Sequence, residues 1–192
     1  HAPKAMFLYT STNKVYGGME DVGVALKHNR YGYVDLPNGC PETRTLDFHS
    51  PYGCSKGAAD QYVHDYSRIY GMRTIVFRQS CIYGYRQFGI EDQGWVAWFT
   101  IRAVQGRPVT IFGDGKQVRD VLFIEDLINA FKAAFENIKT TAGGVFNMGG
   151  GPKNTMSLLE LVDQLNALTG KKLPVSFGDW RPGDQRVFVA NV

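Results

Sequence analysis

Short apolar runs alternate with longer amphipathic segments along most of the chain. Residues 6–10, 74–77, 109–112, 144–148 and 174–177 form runs whose length is typical of strands buried on both faces. Between these runs, the pattern predicts helices over residues 52–70, 94–104, 124–137 and 157–169. Strands that alternate with helices predict an α/β fold, in which a mainly parallel sheet is covered by helices.

One long segment interrupts this alternation. Residues 17–50 are largely polar and contain several Gly and Pro residues, which predicts a long loop. Loops of this length are uncommon in compact domains and are often functional. The segment is therefore a candidate functional loop.

The composition is that of an ordinary folded protein, and it narrows the classes of partner. Of the 192 residues, 44% are apolar and 20% are charged, and the formal net charge is +3. Lys and Arg are scattered, so we expect no nucleic-acid partner, whereas an anionic small molecule is compatible. The cysteines Cys40, Cys54 and Cys81 match no zinc or redox spacing and indicate reduced thiols. Without a signal peptide or an apolar run of about 20 residues, we predict a cytoplasmic protein that does not associate with membranes.

A tyrosine and a lysine four residues apart are the first candidates for chemistry. Residues 51–56 read PYGCSK at the start of a predicted helix, so Tyr52 and Lys56 share one helix face. Tyrosine has an ordinary pKa of about 10, and a neighbouring ammonium lowers that pKa by stabilising the phenolate. The pair could therefore exchange protons with a substrate hydroxyl. The same spacing also occurs by chance in many helices.

A threonine earlier in the chain strengthens the functional interpretation. Thr12 follows the first predicted strand, at the carboxyl end where α/β sheets bind ligands. Its hydroxyl could hydrogen-bond the same substrate oxygen that Tyr52 deprotonates. The alternative is that Thr12 only caps the end of its strand.

Six segments together carry a family resemblance. They are residues 11–17 (STNKVYG), 51–56 (PYGCSK), 78–84 (RQSCIYG), 113–120 (GDGKQVRD), 146–151 (FNMGGG) and 181–184 (RPGD). In this order they resemble the extended short-chain dehydrogenase/reductase family of NAD-dependent epimerases and dehydratases. The resemblance implies the C-terminal part of a Rossmann-like doubly wound parallel sheet, plus a small α/β substrate-binding region. Residues 1–84 would belong to the dinucleotide-binding domain. Residues 85–192 would mostly bind the sugar nucleotide, with segments that return to the Rossmann sheet.

The resemblance also implies roles in catalysis and cofactor binding. Thr12 matches the residue that orients the reacting sugar hydroxyl, and Tyr52 matches the acid/base. Lys56 matches the residue that holds the nicotinamide ribose and tunes the tyrosine. Gln79 and Cys81 match the loop beside the nicotinamide of NAD, although many relatives carry Asn at the place of Cys81. No residue of the chain distinguishes NAD from NADP.

Further matched positions imply contacts with the substrate. Arg119 and Arg181 match arginines that grip the nucleotide moiety, for which a planar guanidinium is suited because it pairs with phosphate oxygens in bidentate fashion. A surface salt bridge is the alternative for Arg181. Asp184 matches a ribose-binding carboxylate. Gln93 lies in residues 85–95, which either line the sugar pocket or form a helix-entry loop with packing aromatics.

The residues after Thr12 separate dehydration from epimerisation. Related dehydratases carry an Asp-Glu pair there, whereas this chain has Asn13 and Lys14. An amide cannot donate and accept a proton as a carboxyl group does, so the pair favours epimerisation and leaves Asn13 a candidate substrate contact. Residues 11–17, 49–56 and 85–95 are most similar to the CDP-paratose 2-epimerase (CDP-tyvelose epimerase) group. That similarity implies transient oxidation at C2 of a CDP-hexose in a homo-oligomeric enzyme.

One element of the family pattern does not occur in the sequence. Members begin with a strand and a Gly-x-x-Gly-x-x-Gly loop that binds the NAD pyrophosphate at a helix N-terminus. Because that loop and a starting Met are both absent, we expect a fragment of a longer protein that binds NAD weakly or self-associates through an exposed strand edge. The alternatives are another nucleotide-sugar epimerase or reductase, or an inactive remnant that serves as an interaction module.

Overall fold

The computed structural model describes residues 5–192. Residues 1–4, which include the position where a starting Met is absent, lie outside the described residues. The strands are β1 (Met6–Thr12), β2 (Val24–Lys27), β3 (Arg30–Tyr33), β4 (Arg73–Gln79), β5 (Cys81–Tyr83), β6 (Val109–Phe112), β7 (Val118–Phe123), β8 (Val145–Met148), β9 (Thr155–Ser157), β10 (Val175–Gly178) and β11 (Val187–Phe188). The helices are α1 (Ser50–Tyr70), α2 (Trp95–Gln105), α3 (Ile124–Glu136), α4 (Ile138–Thr141) and α5 (Leu158–Thr169), and a 3-10 helix covers Asn13–Tyr16.

A three-stranded parallel sheet organises the first part of the fold. Its strand order is β1-β4-β8, and both pairings are parallel. Thr12 pairs with Gln79, and Gln79 pairs with Met148, so the carboxyl ends of all three strands lie in one row. Helix α1 lies between β1 and β4 in the chain and packs against both strands. It forms the crossover that two parallel strands require.

The second part of the fold is built on two smaller sheets. Strands β11, β7 and β5 pair in parallel, β9 adds to β7 in antiparallel fashion, and β10 pairs with β6 in parallel. Helices α2 and α5 cover the β6–β10 pair through an apolar cluster that includes Phe99, Ile111 and Leu161. A second cluster around Tyr16, Tyr33 and Phe188 joins the small sheets to the end of β1.

All five predicted strands and all four predicted helices are confirmed, with ends that differ by a few residues. The sequence pattern missed β5, β7, β9 and β11. Strand β7 was missed because its sequence, VRDVLF, places the buried charged residues Arg119 and Asp120 inside a strand. The other three are two or three residues long, and their partners are distant in sequence.

The prediction of an uninterrupted loop over residues 17–50 was wrong. Strands β2 and β3 form an antiparallel hairpin within it, paired from Val24–Tyr33 to Lys27–Arg30. The hairpin is stabilised from outside: Tyr31 N donates to Lys116 O at 3.0 Å, and the Tyr33 hydroxyl donates to Val187 O at 3.2 Å. Since these partners are far away in sequence, the local pattern could not reveal the hairpin.

Candidate active site

The first turn of α1 presents Tyr52 at the carboxyl edge of the main sheet. Pro51 lies in the first turn, where its missing N–H costs nothing, and Ser50 Oγ accepts the Gly53 N–H at 3.1 Å. Tyr52 is 54% exposed. Its hydroxyl is therefore available to a ligand rather than used in packing.

Lys56 ties α1 to the strand that carries Thr12. Its Nζ donates to Thr10 O at 2.6 Å and lies 4.8 Å from the centre of the Tyr9 ring. The Tyr9 hydroxyl in turn donates to Lys56 O at 3.4 Å. These contacts hold Lys56 two residues before Thr12, on the same side of the sheet as Tyr52.

Thr12 is buried at the end of β1 and caps the 3-10 helix that follows. Its Oγ1 accepts the Lys14 N–H at 3.3 Å and donates to Asn13 Oδ1 at 3.3 Å. The capping role is thus present in the structure. A substrate oxygen could replace Asn13 Oδ1 as the acceptor of the Thr12 hydroxyl, since the hydrogen bond to Asn13 is long.

Gln79 lies beside Thr12 in register and carries an unused donor. Its Nε2 is buried and has no hydrogen-bond partner among residues 5–192. A buried amide that lacks an acceptor loses free energy, so such a group marks a place where an acceptor would be stabilised.

A buried polar network holds α1, β1 and β4 together behind these residues. Arg78 forms two hydrogen bonds with Asp60, at 2.9 and 3.0 Å, and Ser11 Oγ donates to Asp60 at 2.7 Å. Arg78 also donates to the Tyr16 hydroxyl, which donates to Asn147 Oδ1 at 2.8 Å. The network was missed in the sequence because its members are scattered along the chain from position 11 to position 147.

The charges of this network support one another. Burial by itself raises the pKa of Asp60, but the hydrogen bonds from Arg78 and Ser11 outweigh it and hold that pKa below its ordinary value. Burial raises the pKa of Tyr16 to about 12, against the opposing effect of Arg78. Asp60 is therefore ionised and Tyr16 neutral at physiological pH.

Two cavities open around these elements. The tyrosine cavity, of about 340 Å³, is lined by Lys14, Gly17, His49, Ser50, Tyr52, Pro182 and Gly183. The arginine cavity, of about 270 Å³, is lined by Lys14, Cys81, Glu91, Asp92, Gln93, Gly94, Trp95, Phe99, Thr110, Phe112, Gln117, Arg119, Leu158, Arg181 and Asp184.

Each arginine of the arginine cavity is paired with a carboxylate. Arg119 Nη2 lies 2.7 Å from Asp184 Oδ1, and Arg181 Nη2 lies 2.9 Å from Asp92 Oδ1. The Arg181 guanidinium also lies 3.9 Å from the centre of the Phe112 ring. Arg181 thus forms a salt bridge, which was the alternative to a nucleotide contact, and it also lines the arginine cavity.

The structure brings five predicted site residues together around the arginine cavity and a sixth to the tyrosine cavity, and it places four others at the edge of the main sheet. Cys81, Gln93, Arg119, Arg181 and Asp184 all line the arginine cavity, and Tyr52 lines the tyrosine cavity. Thr12, Asn13, Lys56 and Gln79 lie at the carboxyl edge of the main sheet, outside both linings. Cys81 Sγ accepts the Trp95 indole N–H at 3.4 Å, and burial raises the pKa of its thiol.

The sequence pointed to Lys14 only as a residue at the place of the dehydratase Asp-Glu pair, and it assigned Lys14 no contact. In the structure, Lys14 lines both cavities, and its Nζ donates to Gly183 O at 3.4 Å. Burial and the positive charge of Arg119 lower the pKa of Lys14, while the carboxylate of Asp184 opposes this. The only available signal was its place two residues after Thr12.

The described part of the chain offers neither a metal-binding cluster nor a membrane-spanning helix. Residues 5–192 contain no cluster of three His, Cys, Asp or Glu side chains that could hold a metal ion. None of the helices described above is long and apolar enough to cross a membrane.

Known proteins match the chain along most of its length. Residues 1–149 match the family model described as the NAD dependent epimerase/dehydratase family. The chain is 50% identical over 190 residues to the CDP-paratose 2-epimerase of Salmonella typhi, which covers 96% of the chain and 56% of that protein. It is 33% identical over 169 residues to a dTDP-glucose 4,6-dehydratase of Neisseria gonorrhoeae, which covers 88% of the chain and 42% of that protein.

A solved structure shows the same architecture. The UDP-glucuronic acid 4-epimerase from Bacillus cereus, in complex with UDP-glucuronic acid and NAD, superimposes with a TM-score of 0.78 at 28% identity. The match covers 98% of the chain and 54% of that enzyme, so the chain spans about half the length of this enzyme and of the Salmonella typhi protein. The parallel sheets and this likeness confirm the predicted fold class, an α/β chain with a Rossmann-like sheet.

Proposed function

The chain belongs to the NAD dependent epimerase/dehydratase family, and from that premise we propose that it forms the substrate-binding and acid/base part of an NAD-dependent nucleotide-sugar epimerase. The observation that carries the proposal is that Lys14 lines both cavities. One of them is also lined by Tyr52, and the other by Arg119 and Arg181. A nucleotide sugar has a matching layout, a sugar joined through a diphosphate to a nucleoside.

We propose CDP-paratose as the substrate and C2 as the epimerised carbon. The support is the 50% identity to the CDP-paratose 2-epimerase of Salmonella typhi. The pair Asn13 and Lys14 agrees with it, since neither side chain can act as a carboxyl acid/base in elimination of water.

The residues present fit the nicotinamide half of NAD. The unpartnered amide of Gln79 offers a buried donor to an acceptor such as a carboxamide oxygen, next to Thr12 at the sheet edge. Lys56, two residues behind Thr12 on β1, would hold the ribose hydroxyls, and Cys81 would lie beside the ring. When bound, NAD would accept a hydride from the sugar carbon and return it to the opposite face.

The proton chemistry belongs to the chain itself. Tyr52 would take the proton from the reacting hydroxyl and give it back to the ketone oxygen, with Thr12 orienting that oxygen. Lys56 would stabilise the phenolate form of Tyr52, which exists before the proton is taken and again after it is returned. The exposure of Tyr52 and the anchoring of Lys56 on β1 support these roles.

The arginine cavity would take the nucleotide and the diphosphate. Arg119 and Arg181 would exchange a carboxylate for phosphate oxygens, with which a guanidinium can pair in bidentate fashion. Asp184, released from Arg119, could then accept a hydrogen bond from a ribose hydroxyl. Gln93 and Asn13 would contact the substrate from the cavity rim and from the end of β1.

The proposed function also implies a domain assignment, a cellular location and an oligomeric state. Residues 1–84 and β8 would belong to the cofactor half of the enzyme, and the rest of residues 85–192 would belong to the substrate half. Three free thiols, at Cys40, Cys54 and Cys81, support a cytoplasmic location. Exposed Tyr62, Tyr66 and Tyr70 along α1 support a homo-oligomer, since such aromatic rows are typical of interfaces.

Sugar analysis after incubation of the full-length protein with NAD tests the function. CDP-paratose should be converted to its C2 epimer, whereas UDP-glucose should be left unchanged. Tyr52→Phe should lower kcat about 10²- to 10⁴-fold because the proton-transfer group is lost, and Tyr62→Phe on the same helix is the matched control. Turnover of UDP-glucose alone would overturn the 2-epimerase proposal, and no binding of either nucleotide sugar would favour an interaction module.

A further inference from the structure

We propose that the Lys14 ammonium binds the phosphate attached to the sugar, and that this contact selects the ring carbon presented to Tyr52. The inference rests on the proposed function, because it names a contact within that same site. Lys14 would be a positioning residue, since it acts on the location of the ring and takes no part in proton transfer.

The location of Lys14 suits a contact with the middle of a nucleotide sugar. Lys14 is the one residue shared by the linings of the tyrosine and arginine cavities. A ligand that occupied both cavities would therefore lie against Lys14 in each of them. In a nucleotide sugar, the group between the sugar and the rest of the nucleotide is the sugar-linked phosphate.

The second argument is charge. Arg119 and Arg181 already have carboxylate partners, whereas Lys14 forms no ion pair within residues 5–192 and reaches only the carbonyl of Gly183. An ammonium that is partly withdrawn from water without a counter-ion costs free energy, and an anion that enters would offset that cost. The lowered pKa of Lys14 reflects the same cost.

The third argument is the chemistry of the ring. C2 is bonded to the anomeric carbon that carries the phosphate, whereas C4 lies across the ring from it. A cation at the junction holds the phosphate close to Tyr52, which brings C2 rather than C4 to the tyrosine hydroxyl. Lys14 therefore accounts for position selectivity, which Tyr52 by itself cannot provide.

Calorimetric titration with CDP and with CMP tests the contact, because only CDP carries the phosphate that would be linked to the sugar. Lys14→Met should weaken CDP binding about 10- to 100-fold, as expected for loss of a charged hydrogen bond. CMP binding should change less than about twofold, since the arginines remain. Lys14→Arg keeps the charge and should restore most of the CDP affinity.

A control and a second readout separate this role from a structural one. Lys132→Met removes an exposed lysine on α3 and should leave both affinities unchanged. In the wild-type protein, CDP affinity should fall as pH rises through the lowered pKa of Lys14, and in Lys14→Arg this fall should disappear. The charged and titratable groups that face Lys14 are Arg119, Asp184, Cys81, Arg181, Glu91 and Asp92 around the arginine cavity, and His49 and Tyr52 around the tyrosine cavity. Among them Cys81 also titrates at alkaline pH, but burial raises its pKa and moves its titration to still higher pH.

The outcomes distinguish this inference from the proposed function. If the wild type converts CDP-paratose but Lys14→Met binds CDP normally, or loses CDP and CMP equally, the Lys14 inference is wrong. If CDP-paratose is not converted, the proposed function fails, while the comparison of CDP with CMP still decides the phosphate contact. Should Lys14→Met fail to fold, Lys14→Gln replaces it in the same titrations.

Discussion

At the scale of single residues, a glycine in α1 shows how tightly the candidate site is built. A Cβ added at Gly57 would lie 2.3 Å from the Phe48 ring, whereas one at Gly53 would lie 3.4 Å or more from its nearest neighbours. Phe48 packs against the cluster around Tyr16. It also lies two residues before Ser50, where α1 begins, so its position affects the start of the helix that carries Tyr52.

We expect Gly57→Ala to destabilise the protein by about 1–3 kcal/mol, because the new methyl group displaces the Phe48 ring. Gly53→Ala is the matched control on the same helix and should be neutral or stabilising by about 0.5–1 kcal/mol, as helix propensity predicts. Urea unfolding measures both. Equal free energies of unfolding for the two variants would show that Phe48 can move away freely.

At the scale of elements, the buried pair of Asp60 and Arg78 joins α1 to β4. Its side chains are 0% and 5% exposed, so neither charge is compensated by water. Ser11 Oγ, on β1, also donates to Asp60. The two catalytic candidates on α1 and the one on β1 therefore depend on this pair for their relative position.

Asp60→Asn should lower the free energy of unfolding by about 3–5 kcal/mol, because Arg78 stays buried without its counter-charge. Asp65→Asn, which removes an exposed partner of Arg68 on the same helix, should cost less than about 1 kcal/mol. Replacing both members, Asp60→Leu with Arg78→Met, should cost less than Asp60→Asn. If it costs more, the pair contributes through its hydrogen bonds rather than through charge balance.

The same pair predicts a dependence of stability on pH. The folded-state pKa of Asp60 is lowered, so its contribution is present above the unfolded-state value of about 3.9 and is lost as pH falls through the folded-state pKa. Unfolding titrations of the wild type should show this acid loss. In Asp60→Asn the slope below about pH 4 should be shallower.

At the scale of the whole molecule, the main sheet ends on an open strand. In the structure of residues 5–192, β1 pairs with β4 on one side and with no strand on the other. Phe7, on this strand, is 51% exposed. An apolar edge strand of this kind is a template for pairing with a second chain.

We therefore expect association that increases with protein concentration in analytical ultracentrifugation. Phe7→Lys should weaken it, since a charged edge strand opposes pairing. Phe135→Lys is the control, because Phe135 is 63% exposed but lies on helix α3. A wild type that stays monomeric over the whole concentration range would contradict this prediction.

The sequence by itself determined five of the strands, the four longer helices and the family. Local periodicity was sufficient for the strands with continuous apolar runs and for the four longer helices, because those patterns depend on neighbours within a few residues. The motifs around Thr12, Tyr52 and Arg119 were sufficient for the family, and the roles of these residues follow from it as proposals. The sequence failed where a partner is distant, as for the β2–β3 hairpin, whose support comes from Lys116 and Val187.

Only the tertiary structure decided how the site is assembled. Arg119 and Asp184 are 65 residues apart in sequence, and Lys14 and Gly183 are 169 apart, yet each pair is in contact. Such contacts depend on how the parallel strands are ordered and on which loops follow them, which no local pattern encodes. For this reason Tyr52 and Lys56 could be identified as candidates from their spacing and motif, whereas the place of Lys14 in the lining of both cavities emerged only from the tertiary structure.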